Sequence, residues 1–409
     1  MRPVQNLYCA MFALATGTAL SGQAVLILLA TRLGLPEAWT SSFGSFPFVG
    51  FLFVPVTFMA VSRFGASHTM GVQQFIQAFC VLGISMLALF PFSGAACIFF
   101  PLALLINILG SMSNSMYYSL QKELLRPDEM PQFYAYRSYI SFGGSFISLV
   151  FIAWYLKHFT AMHHISILLL FSVILLSVCA ICYYTMGDFP RIKKNFSKSL
   201  LPSIKEAMKF RAMRRQLAIG VVQNLALICL IPNCILALRN GLGVSETQIM
   251  ALNALEIGVS IIAAYFYKKA AVSWGPRNCM LKTYPLLLCV SAFWWLVPSN
   301  APIAVFAIPS IIYGVMNIFY SMAMANYFTI SIPPSLQMPG TFLLLMIHGV
   351  VPGILGIILN PLLHKAIRLF TYQEPLTPYR IYFTIYVVFY IGCVILGKYM
   401  PEHLHQEAQ

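Results

Sequence analysis

Charge is what this sequence has least of. Its 409 residues include 25 Lys and Arg and 11 Asp and Glu, so charged side chains make up only 9% of the chain. A soluble globular domain carries about a quarter, and that class is excluded. Also missing are the alternating segments of about 10 residues that build a membrane β-barrel. There are no paired carboxylates, no histidine cluster at metal-ligand spacing and no nucleophile beside a base, so no catalytic centre, metal or cofactor is expected. His163, His164, His403 and His405 have no cysteine beside them and suit solvated loops.

Apolar runs fill the space that charge leaves. Hydrophobic residues make up 59% of the chain and mean hydropathy is +0.80, with runs of about 20 residues, each able to cross a hydrocarbon core about 30 Å thick as a helix. Hydropathy and breaker residues predict an all-α polytopic membrane protein with twelve spans, at roughly 7–30, 40–62, 69–90, 96–119, 133–156, 165–186, 214–238, 247–267, 278–297, 301–326, 339–362 and 379–399. The first run has the position of a signal peptide but is long and belongs to the fold. The ten cysteines sit in these runs as small hydrophobes, the Cys179-x-x-Cys182 pair included.

One basic stretch interrupts the pattern. Residues 187–213 form the predicted linker between a six-span half at 1–186 and another at 214–400, followed by a tail at 401–409. With both termini cytoplasmic, about 18 of the 25 Lys and Arg residues fall on the cytoplasmic side. The net charge of +14 then reads as a topology signal and a match for anionic membrane lipids, not for nucleic acid. A bacterial inner (plasma) membrane is the expected location. The sequon at Asn195 falls on the cytoplasmic side in this topology and is expected to be chance.

The second half repeats the first. NILGSMSNSMYYSL, from Asn107, returns about 210 residues later as NIFYSMAMANYFTI, from Asn317. LATRLGL, from Leu29, is answered by LALRNGL, from Leu236, and Gly65 of SRFGAS by Gly275 of SWGPR. Duplication of a strongly apolar chain marks architectures built from structural repeats around a central site.

The six-plus-six layout, the basic central loop, the repeat and the loop glycines together resemble the major facilitator superfamily over essentially the whole chain. Members typically carry Gly-x-x-x-Asp-Arg-x-Gly-Arg after the second span and a weaker copy after the eighth. Here Arg63 and Gly65 remain, with Phe58, Ser62 and Ala66 at other motif positions, and Gly275 and Arg277 remain in the second copy. The missing acid leaves the usual cytoplasmic charge latch unassigned. The resemblance implies a secondary transporter whose two halves rock about a central site, acting on a small solute and expected to be monomeric.

In the family, spans one, four, seven and ten line that site. On the fourth span Asn107, Ser111, Asn114, Tyr118 and Gln121 share one face by helical spacing. Tyr313, Asn317 and Ser321 share the matching face of the tenth, with Tyr320 close by. Gln23 on the first span and Gln223, Asn224 and Asn233 on the seventh add amides. Lipid cannot satisfy such groups, so they face protein or water. Packing between helices explains any one of them as well as cavity lining does. No fixed charge accompanies them near the midplane, which favours a neutral or zwitterionic solute over a dianion.

Apart from basic residues near span ends, three ionisable residues stand apart inside spans: Arg137, Glu256 and His348. Each costs about 2.5 to 3.5 kcal/mol at the bilayer centre, so each needs a reason. Glu256 is mid-span and has an apolar counterpart near Phe48, which makes it the candidate for proton coupling; a protonated hydrogen-bonding role or a pairing with Arg137 are the alternatives. FGGSF in the fifth span lacks the proline of the drug/proton antiporters, which disfavours multidrug efflux. A non-transporting lipid-binding or scaffolding member is the remaining rival.

Overall fold

The computed structural model describes residues 3–124, 130–159, 161–187, 200–333, 336–370 and 374–401. Residues 188–199 of the predicted linker, with the Asn195 sequon, and the tail beyond 401, with His403 and His405, lie outside them. So do the side chains of Tyr118 and Gln121.

Among the described residues every regular element is helical, and eleven helices are long and apolar enough to cross a membrane. The principal ones are α1 (Pro3–Leu20), α2 (Gln23–Arg32), α3 (Val54–Phe64), α4 (Ala66–Leu89), α5 (Ala95–Leu124), α6 (Met130–His158), α7 (Met162–Tyr184), α8 (Arg211–Leu236), α9 (Glu246–Leu296), α10 (Ala307–Ser331), α11 (Gln337–Leu345), α12 (Val351–Arg368) and α13 (Thr377–Lys398).

Several predicted spans are not simple helices. The first breaks at Ser21–Gly22, where Gly22 is extended (φ −76°, ψ 174°). The second runs as short α and 3-10 turns from Glu37 to Phe53 before α3 begins; Pro47 and Pro55 sit in the first positions of new helical segments, where a missing N–H costs nothing. The eighth and ninth are continuous as α9, whose 51 residues would reach about 77 Å at 1.5 Å per residue, over twice a bilayer core. Inside α9, however, Gly275 is not helical (φ 73°, ψ 158°).

Gly65, between α3 and α4, has nearly the same conformation (φ 89°, ψ 157°). The two glycines matched by the repeat thus make the same turn, in a region of backbone space essentially closed to side chains. Nothing lies within 4 Å of a Cβ built on Gly275, so Gly275→Ala isolates the backbone term and is expected to cost about 1–3 kcal/mol. Gly143, inside α6 and equally open, supplies the control: alanine there should be neutral or stabilising by about 0.5–1 kcal/mol. Melting temperatures of the two variants in one detergent check the contrast.

The chain divides into two compact units. Residues 1–198 and 246–254 form the first; residues 199–245 and 255–409 form the second. In the first unit hydroxyls and amides fasten helices to one another. Ser85 and Ser166 bond reciprocally between α4 and α7 at 2.7–3.0 Å, Ser172 of α7 donates to the Gly17 carbonyl of α1 at 2.7 Å, and Gln74 of α4 donates to Ser113 of α5 at 3.0 Å. The Arg32 guanidinium holds the Glu246 carboxylate with two bonds, at 2.8 and 2.5 Å. Cys179 is buried in the hydrophobic cluster of Leu7, Met11, Met70 and Tyr183.

The second unit is built around aromatic side chains. Tyr284, Tyr327, Tyr379, Tyr382, Tyr386, Tyr390 and Phe306 are fully buried in it. Trp294 of α9 stacks on Phe383 of α13, with centroids 4.7 Å apart.

Candidate functional site

Glycine sets the distance between α9 and α10. A Cβ on Gly314 would lie 2.5 Å from the Glu256 carbonyl oxygen, and Ser260, one turn beyond Glu256, donates to the Gly314 carbonyl at 3.1 Å. This close approach seats Glu256 against α10. Its side chain is half-buried and makes no hydrogen bond or ion pair among the described residues. Tyr313 and Cys234 lie within electrostatic reach of it. Tyr313 and Tyr320 are buried, and Tyr320 meets Tyr284 at 6.1 Å between centroids. Asn317, between them, is half-buried and makes no side-chain hydrogen bond among the described residues.

His348 occupies a different place. It sits in a π-helical turn, Met346–Val350, between α11 and α12. Its Nε2 faces the Gln216 carbonyl of α8 at 3.0 Å, so that nitrogen carries the hydrogen and donates it. Asn224, two turns along α8, donates Nδ2 to the His348 carbonyl at 2.8 Å, a partner for a wide turn that weakens its own ladder. Between those two contacts lies Gly220, where any Cβ would overlap the imidazole. Asn224 and His348 are thus brought together, with Asn224 Nδ2 and His348 Nε2 engaged in the packing of α8 on the helix that follows α11.

In the first unit Asn107 is half-buried and donates to Ala103 of its own helix at 2.8 Å. Ser111 is buried and donates to the Pro47 carbonyl at 2.5 Å. Gly50 makes this fit, since a Cβ there would lie 2.7 Å from the Ser111 Cβ. Asn114 is exposed and bonds to no side chain or backbone group among the described residues, and the Gln23 Nε2 is buried without a partner. Arg137 belongs to this unit and is half-buried. Of the loop motifs, Arg63 lies over the Phe64 ring at 5.5 Å, and Arg277 donates to the Lys398 carbonyl at 3.2 Å.

The sequence pattern passed over a second polar knot in the second unit. Asn233 of α8 donates Nδ2 to the Tyr386 hydroxyl of α13 at 2.8 Å, and its Oδ1 lies 3.2 Å from His364 Nε2 of α12. All three are nearly inaccessible to solvent. His364 was missed because its span was expected to end at 362; the histidine four residues before the observed end at Arg368 is the signal that was available. Asn233→Leu removes both bonds and leaves His364 Nε2 buried without this partner, so it is expected to cost about 1–3 kcal/mol, measurable as a lowered melting temperature.

No protein-family model matches the chain, and no curated protein does. Solved structures do match. A point variant of the nucleoside transporter NupG superposes with TM-score 0.72 at 14% identity, covering 97% of this chain and 99% of that one. An auto-inhibited POT family peptide transporter gives 0.69 at 15%, covering 100% and 98%. A D-xylose-proton symporter gives 0.70 at 11%, covering 97% and 96%. What is shared at such identities is the fold, which extends over nearly the full length of each partner. The chain is therefore an integral membrane protein with the major facilitator fold.

Proposed function

We propose that the protein is a secondary transporter, not an enzyme, that moves a small organic solute by alternating access, with Glu256 as the group that binds and releases the coupling proton. A membrane-embedded carboxyl that is half-buried and unbonded among the described residues, where a structural acid would be paired, carries this reading. The fold supports it: proteins of this shape include transporters of nucleosides, peptides and xylose, the last described as a proton symporter.

In this reading the turn at Gly275 divides α9 into the eighth and ninth of twelve spans. Residues 1–186 and 214–400 are then six-span halves, joined by 187–213, with both termini and the 401–409 tail in the cytoplasm of a bacterial inner membrane and the protein acting as a monomer. Asn107, Ser111, Asn114 and Tyr118 would offer the first half's contacts to the solute together with Gln23. Tyr313, Asn317, Tyr320 and Asn224 would offer the second half's. Amides and phenols in that number suit a neutral or zwitterionic solute. Arg63, Gly65, Gly275 and Arg277 would form the cytoplasmic turns, and Arg137 and His348 remain proposed partners in coupling.

The solute is found first. Melting of the purified protein against sugars, nucleosides, amino acids, peptides and amphiphiles should single out a class that raises stability, since a ligand of the native state alone stabilises by mass action. Uptake of that solute by vesicles, with and without a proton gradient, then tests the coupling.

A further inference from the structure

Between Ile257 and Gln373 the sequence contains no Asp or Glu. Cations in that stretch have no acid of their own segment to answer them, and several gather around the turn at Gly275. Lys268, Lys269 and Lys282 are exposed and make no ion pair among the described residues. Each lies beside exposed apolar surface. Tyr265 is 60%, Val272 86% and Trp274 44% exposed, and Phe266 stands next to Tyr265 on the same exposed stretch.

Two contacts organise the group. Lys269 Nζ lies 5.9 Å from the centroid of the Tyr265 ring, one turn back on α9. Across the turn, Lys282 Nζ lies 3.6 Å from the centroid of Trp274. Arg277 braces the same corner through its bond to the Lys398 carbonyl. The corresponding turn in the first unit carries one Lys or Arg between residues 54 and 89, Arg63, which lies over Phe64.

A topology signal alone requires lysines on one side of the membrane, at any position in the loops. Here two of the three, Lys269 and Lys282, lie on aromatic rings at the end of an apolar helix, with Lys268 next in sequence, where a phosphate and its acyl chains can be met together. The geometry points to a binding site for one anionic phospholipid at this corner. Its headgroup would be held by Lys268, Lys269 and Lys282, and its chains would lie along Tyr265, Phe266 and Trp274. A water-soluble phosphate would satisfy the lysines but leave the aromatic rim unused, which favours the lipid. The site does not depend on the transport reading.

The test is melting of the purified full-length protein in detergent with added phosphatidylglycerol, phosphatidylcholine, inorganic phosphate or glycerol phosphate. Phosphatidylglycerol should stabilise at a concentration at least about tenfold lower than phosphatidylcholine, and the two soluble phosphates should not. In Lys268→Gln/Lys269→Gln/Lys282→Gln that preference should vanish while melting in phosphatidylcholine stays as in the wild type. Should the triple variant melt early in both lipids, Trp274→Leu serves instead, with an expected loss of about threefold in phosphatidylglycerol affinity. Equal response to the two lipids, a preference that survives substitution, or stabilisation by soluble phosphate matching the lipid would each overturn the assignment.

Discussion

Vesicles containing Glu256→Gln protein are expected to exchange their solute across the membrane yet fail to accumulate it. Glutamine keeps the size and the hydrogen-bonding capacity of a protonated carboxyl, so binding and rocking should survive and counterflow with them. It cannot release a proton, so a gradient has nothing to act on. For one proton per solute, each pH unit across the membrane supports about tenfold accumulation, and the variant should lose all of it together with the pH dependence of uptake. Uphill transport by the variant with an unchanged pH profile would remove Glu256 from the mechanism. Glu256 makes no ion pair among the described residues, so no stranded partner charge from them complicates the substitution.

The second large effect is expected at Gly314. Its hydrogen is what allows α10 to reach the Glu256 carbonyl, and an alanine Cβ at 2.5 Å from that oxygen meets backbone that cannot turn aside. Gly314→Ala should therefore cost about 1–3 kcal/mol by overpacking, and Gly314→Leu more. Unlike the turn at Gly275, this glycine reports on the site itself, since pushing α10 away also moves Tyr313 from the acid. Melting temperature gives the first effect and solute affinity the second; a stable Gly314→Leu protein with native affinity would refute the close approach. The first unit uses the same device with the partners exchanged, as Gly50 of the broken second span admits Ser111 of α5.

Most of the architecture was legible because membrane helices announce themselves by length and apolarity, and Arg32, Gly65 and Gly275 were visible at span ends through the repeat. The broken second span was not, although Pro47 and Pro55 stand in it, since hydropathy averages over local breaks. The site was legible only as a set of polar residues. Whether Ser111 or Asn224 faces a cavity or another helix depends on which backbone carbonyl lies opposite, as with Pro47 and His348, and no periodicity encodes that. Glu256 stands out in the sequence as a mid-span acid whatever its neighbours, which is why it is proposed; His364, whose contacts come from Asn233 and Tyr386, does not.

The paired turns at Gly65 and Gly275 also act as a ruler. They stand 210 residues apart, as do Asn107 and Asn317, so the two copies have kept step through these segments with no net insertion. Upstream of these turns Leu29 and Leu236 stand 207 apart, so Glu256, which lies between the two anchors, falls opposite the stretch Phe46–Val49. Phe46 is completely buried, its ring 4.7 Å from Phe43 and 5.1 Å from Phe100 by centroid. One copy therefore packs aromatic rings in the stretch where the other carries an acid. Under the proposed mechanism Glu256→Phe makes the two copies alike at this place, and it is expected to abolish proton-driven accumulation.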